Sequence, residues 1–288
     1  MVNYERWLKT RVLITARTYP VPSRTGIEVS CTAGVTEDGH WIRLFPIPFR
    51  QLEEDKRFAK YQYIEAEVTK STSDPRPESY KVNLDSIKVV SAPISPKHNW
   101  EARKAKVFPF RSQSLCGLQT ARDLNKQPTL GLFRPKSISE LRIEPTTTDW
   151  TPQELTRLRQ YPLFGNAPKS ELEKIPYIFK YDFICDEANC HSHTLSCTDW
   201  EMSQSYRSWK MKYGTEWEQK FRHRYEYEMM NKNDTHFYVG TLRDHPDSWI
   251  IVGLFYPPRD AIKKANSGRE TFLRNLHKSS QNLLLLGE

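Results

Sequence analysis

The chain has no long apolar run. Its longest strongly apolar stretch, Trp249 to Tyr256, is strand-sized, well short of the roughly 20 residues that span a bilayer as a helix. The opening MVNYERWLKT lacks the apolar core of a secretion signal. We therefore expect a cytoplasmic protein with no membrane partner. Glycine is scarce, at 11 residues in 288, and no Gly-rich phosphate loop is present. Alternating βα units are absent as well. So are the H-E-x-x-H protease helix, the zinc-deaminase signature and the G-x-S-x-G nucleophile elbow. Cysteines number five. An odd count, with three of them clustered, argues against a secreted disulfide framework and for reduced thiols with a metal.

What is present suits a folded soluble protein. Hydrophobic residues make up 38% and charged residues 27%, too apolar for disorder and too polar for a membrane. Length favours two domains, which we place at 1–125 and 126–288. The formal charge of +8 attracts polyanions, nucleic acid first.

Strand signals dominate. Arg11–Thr18, Ile27–Val35 and His40–Phe45 read as strands, the last two joined by the turn Glu37-Asp38-Gly39. Residues 50–60 read as a short surface helix. Tyr61–Lys70 alternates apolar and charged residues, so it reads as a half-buried strand. Later strands are expected at Ile138–Glu144, Lys180–Ile184, Thr194–Glu201, Phe237–Leu242 and Ser248–Tyr256. Helix is expected at Asn99–Lys106, Ser112–Leu124, Thr151–Arg159 and over Met202–Asn231, with a terminal helix after Pro258. Many short strands and few helices give a mainly β (α+β) class built from small closed barrels.

Several of these strands resemble a known family. Cys31-Thr32-Ala33-Gly34 followed by Trp41-Ile42-Arg43-Leu44-Phe45-Pro46 resembles the CxAG…WIR signature of bacterial dual OB-domain-containing proteins. Leu130–Pro135 resembles the entry to that family's second barrel. Leu195–Asp199, Phe237–Leu242 and Trp249–Phe255 resemble its later strands. The resemblance implies two OB-like barrels, nucleic-acid binding, a defence or mobile-element setting and a partner protein encoded nearby. The chain departs from the pattern at 185–193 and over the helical 202–231.

The first departure is chemically the sharpest feature. Cys185, Cys190 and His193 form C-x4-C-x2-H at the tip of an expected hairpin. Tetrahedral zinc takes four sulfur or imidazole ligands from close chain segments. Cys197 is the expected fourth ligand, with His191 and His223 as alternatives. A hairpin tip has little core of its own, so the zinc is expected to be structural.

Basic residues interleaved with aromatics can track phosphates and stack bases. Arg103 and Lys104 sit near Trp100. Arg207, Lys210, Lys212, Arg222 and Arg224 surround Trp209. Trp41 and Arg43 alternate with Ile42, so both face one way, and Arg50 follows them. These are the candidate nucleic-acid contacts of a non-enzymatic binding protein. Two other readings stand beside it. Asp199 and Glu201 can hold magnesium in a nuclease, and the barrels can serve as a protein-interaction scaffold.

Overall fold

The computed structural model describes residues 6–23, 28–159 and 170–259. The tail beyond residue 259, expected as a terminal helix, lies outside them. Two β-rich halves account for most of the described chain, and a few helices pack around them.

The first half is built from β1 (Leu8–Arg17), β2 (Val21–Pro22), β3 (Glu28–Thr36), β4 (Trp41–Ile47), β5 (Tyr63–Lys70), β6 (Ser79–Val82) and β7 (Lys88–Val89). The order β1-β3-β4-β6-β5 closes into a five-strand barrel because β5 returns to pair with β1. Only β4 and β6 run parallel within it. Alternate residues point inward, as a pleated strand requires: Val12, Ile14, Ile42, Leu44, Ile64, Ala66 and Val68 fill the barrel. Gly39 closes the β3–β4 turn at φ 89°, a conformation glycine adopts without a Cβ clash.

The second half contains β8 (Arg111–Ser112), β9 (Leu130–Phe133), β10 (Ser137–Pro145), β11 (Tyr177–Ile184), β12 (His193–Cys197), β13 (His236–Thr241) and β14 (Trp249–Phe255). Its sheet runs β10-β11-β12-β14-β13-β9-β8. The five main strands of each half follow one order: first, second, third, fifth, fourth. In both, the third and fifth are parallel. In the second half β9 leads into β10 across Pro135 and pairs with β13. A bent first strand thus touches both the second and the fourth strands, as β1 does.

The helices are α1 (Lys97–Val107), α2 (Leu115–Asn125), α3 (Pro152–Leu158), α4 (Trp200–Tyr213) and α5 (Trp217–Arg222). The last continues through a π-helical stretch, His223–Glu228, into Met229–Asn231. Thr151 and Glu154 cap α3 reciprocally, as the Thr-Pro-Gln-Glu start implies. Two expectations are corrected. Residues 50–60 form two short 3-10 turns, Phe49–Gln51 and Glu54–Lys56, rather than a surface helix; burial of Leu52 and Phe58 pins this stretch across the barrel end. The strand expected through Glu201 stops at Cys197, because the Asp199 side chain caps α4 by accepting from Met202 N. Among the described residues no helix is long and apolar enough to cross a membrane.

The halves share a core. Ala16, Ala33, Tyr61 and Val107 pack with Leu130, Leu132, Tyr238, Val252 and Phe255 in one apolar cluster. Gly253 permits a close approach of the halves: a Cβ there would lie 2.6 Å from Ala16 Cβ. Polar ties cross the same seam. Arg43, steadied by Ser79 Oγ of its own half, donates across to the Thr129 carbonyl at 2.8 Å. Glu78 accepts from Thr129 N and Oγ1. Lys60 donates to Asp199, Glu201 and the Leu254 carbonyl.

Candidate metal centre and seam cavity

Cys185 follows β11 directly and begins the loop that returns as β12. His193 opens β12 opposite Phe183, whose ring it stacks on at 5.3 Å. Within the loop, Cys185 N donates to Cys190 Sγ at 3.1 Å, so the two sulfurs converge. The remaining member comes from elsewhere. Cys116, in the first turn of α2, brings its Sγ to 3.2 Å from His193 Nε2. The ligand atoms of Cys116, Cys185, Cys190 and His193 all lie within 4.8 Å of one another. Ser114 caps α2 and donates to Glu187 in the loop at 2.7 Å, which locks the helix start against the hairpin.

This donor set can hold a metal ion. Ligands about 2.3 Å from a tetrahedral ion sit roughly 3.8 Å apart, close to the spacing present. Burial, and then the neighbouring Cys185 and Cys190 sulfurs, push the Cys116 thiol up to about 12. A divalent cation at the centre offsets that crowding by stabilising the thiolates. Cys197, expected as the fourth ligand, lies outside the group. Four residues along β12 from His193, it is only 6% exposed and packs in the core opposite Phe179. His191 and His223 are solvent-exposed and also outside it. Sequence reasoning missed Cys116 because it has no local signature. The usable signal was an unassigned cysteine just inside a Ser-capped helix.

A second feature lies at the seam, a cavity of about 490 Å³. Trp100 and Tyr256 form an aromatic corner there, with ring centroids 5.3 Å apart and planes inclined at 50°. Arg103 lies 4.4 Å from the Tyr61 ring and 4.8 Å from that of Trp100. Arg224 lies 5.0 Å from the Tyr256 ring. Lys60 lines the same space beside Glu201. Burial alone would lower the Lys60 ammonium; the Glu201 and Asp199 carboxylates outweigh it and hold the group above its ordinary range. The backbone carrying these walls is strained. His98, Asn99 and Trp100 are consecutive left-handed residues, with φ of 50°, 56° and 61°, and Tyr61 has φ 63°. Such residues persist only where surrounding packing over-determines them, and they cluster at functional sites.

Residues 111–280 match the family model of a domain of unknown function (DUF8757). The chain belongs to the DUF8757 family. Residues 8–109 match a second domain of unknown function (DUF8758), so the two matched segments adjoin between α1 and β8. No curated protein sequence matches the chain.

In this DUF8757 member the expected nucleic-acid contacts fall into three groups. Some are built into the structure. Arg43 is 2% exposed and spent on the seam, so it cannot reach a phosphate. Trp41 packs edge-on against Phe110 and Tyr238. Arg50 pairs with Glu28 and with the Ser170 carbonyl. Other cations are paired at the surface: Arg207 with Glu173, and Arg222 with Glu218 and Glu226. Lys210 and Lys212 are exposed on α4, while Lys104 is half-buried on α1. The third group is gathered by the cavity: Arg103, Trp209 and Arg224 all line it, Arg224 while paired with Glu228, although they come from three helical segments.

Asp199 does not suit a magnesium ligand. It is 2% exposed. One oxygen accepts from Met202 N, and the other from Leu254 N at 3.1 Å and Lys60 at 3.4 Å. Three donors from the protein thus already engage its two oxygens.

Proposed function

We propose that this protein binds single-stranded nucleic acid, seating part of the strand in the seam cavity, while zinc held by Cys116, Cys185, Cys190 and His193 fixes the second half. The observation that carries the reading is the cavity itself, where aromatic rings and guanidinium groups from both halves meet. Rings supply sequence-tolerant stacking surface, and cations supply attraction to phosphate. The strand order shared by the halves is that of the OB barrel, in line with the resemblance to dual OB-domain proteins. Such barrels commonly bind oligonucleotides. Three cysteines and one histidine are a structural-zinc donor set, with no open position for chemistry. The burial of Asp199 and its engagement as the α4 cap and Lys60 partner favour binding over cleavage.

Fluorescence anisotropy of a labelled single-stranded oligonucleotide tests the proposal. Binding is expected at about 50 mM salt and should fall steeply with added salt, by about 0.7 in log–log slope per phosphate contact. Trp100→Ala and Arg224→Ala should each weaken it by about tenfold; Trp100 also packs on Tyr61 and Phe255, so its variant should melt lower and is assayed well below its own melting temperature. No binding at low salt, or full binding by both variants, would overturn the proposal.

A further inference from the structure

We propose that the seam cavity is a single-base pocket selective for guanine, with Glu201 as the residue that reads the base. This rests on the strand-binding reading above and names the part of the ligand that enters. At about 490 Å³ the cavity is in the size range of small-ligand sites, enough for one nucleotide and too small for several. Trp100 and Tyr256 line the cavity, and Arg103 and Arg224 lie over their rings; Arg103 also donates to the Ile94 carbonyl and Arg224 also pairs with Glu228, so each guanidinium is held in place while adding positive charge near the flanking phosphates. Those features are indifferent to base identity. Glu201 is not.

The Glu201 side chain is 49% exposed, and its Oε2 lies 3.4 Å from Lys60 Nζ. Lys60 in turn is fixed by Asp199 and by the Leu254 carbonyl at 2.7 Å. Lys60 and Glu201 both line the cavity, and the Lys60 contact to Oε2 fixes the carboxylate while leaving Oε1 as an acceptor without a protein donor among the hydrogen bonds of the described residues. A carboxylate can only accept hydrogen bonds. Guanine alone among the common bases sets two N–H donors side by side on its Watson–Crick edge, at N1 and N2. Adenine and cytosine place a ring acceptor beside a single amino donor, and uracil flanks its one N–H with two carbonyls. Each of these points an acceptor at the carboxylate. A bidentate pair to the correct base typically discriminates by about tenfold or more.

Two titrations of the intact protein test this. The first follows tryptophan fluorescence while GMP, AMP, CMP and UMP are added. The second compares a uridine oligonucleotide with the same strand carrying one central guanine. GMP should bind about tenfold more tightly than the other three, and the single guanine should tighten the oligonucleotide by a similar factor. Glu201→Gln, checked for an unchanged melting curve, should bring both ratios to within about threefold while the plain uridine strand still binds. Glu201→Asp, which keeps the charge and shortens the reach, should also lose the preference. Equal affinities for the four nucleotides, or a guanine preference that survives in both variants, would overturn the proposal. Oligonucleotide binding without base preference overturns the guanine pocket and leaves strand binding intact. No oligonucleotide binding at all overturns strand binding, and the mononucleotide titration then decides the pocket alone.

Discussion

Replacing Cys116 with serine should empty the metal centre as fully as replacing Cys185 or Cys190. The parent protein is expected to carry about one equivalent of zinc, and each of these variants less than half. Cys197→Ser should retain the full equivalent, since that thiol packs in the core opposite Phe179. The physical reason is coordination number. A tetrahedral site that loses one of four ligands fills the gap with water and loses most of its affinity. Structural zinc contributes its binding energy to folding, so the Cys116 variant should also melt lower. For a domain of this size each kcal/mol lost corresponds to roughly 2–4 °C, and a fall of about 10 °C is expected. The position of Cys116 makes the effect spread. It sits on α2, held to the loop through Ser114 and Glu187, so releasing the ion frees a helix and a hairpin together. Zinc analysis of the four variants beside the parent checks this. Full zinc in Cys116→Ser, or loss of zinc in Cys197→Ser, would contradict the ligand set.

Lys60→Met should destabilise the protein by about 3–5 kcal/mol. The side chain is 11% exposed and crosses from the first half to Asp199, itself 3% exposed at the side chain, in the second. Removing the ammonium leaves a buried carboxylate without its cation, which is the costly way to break a buried pair. The pH dependence separates this cause from simple loss of packing. Burial pushes the Asp199 carboxyl upward, and Lys60 opposes that shift. Without Lys60, the folded state takes up a proton on Asp199 more readily than the unfolded state does. Stability of the variant relative to the parent should therefore improve as pH falls through the raised value. Denaturant titrations at about pH 7.5 and about pH 5 should show a clearly smaller loss at the lower pH. Lys60→Met combined with Asp199→Asn should recover part of the loss at neutral pH. A loss independent of pH would point to packing instead.

How far the sequence reveals these features depends on whether their partners are local. The β3–β4 hairpin was legible because the Asp38-Gly39 turn and the flanking alternation lie within one short window. The capped start of α3 was legible for the same reason. The Cys185–His193 hairpin gave three of the four clustered residues, since they share one loop. Cys116 is 77 residues from His193 in the chain, and no local spacing rule reaches that far. Arg43 illustrates a different limit. Alternation correctly places Trp41 and Arg43 on one face of β4, but nothing in the strand says that this face meets the other half. Lys60 was hidden by an expected surface helix, because burial at that barrel end is imposed by α4 and β14. The cavity was half legible. Arg103, Trp209 and Arg224 were among the candidates, whereas Lys60, Tyr61 and Tyr256 were not, and only the packing of the two halves brings these distant segments together.

Short-wave ultraviolet cross-linking of the full chain to a mixed-sequence single strand, followed by peptide mapping, bears most directly on where a strand is held. The expected product is a nucleotide adduct on peptides containing Trp100 or Tyr256, lost when a competing guanine-containing oligonucleotide is added. Adducts confined to the exposed α4 face around Lys210 and Lys212, with none at the cavity, would contradict it.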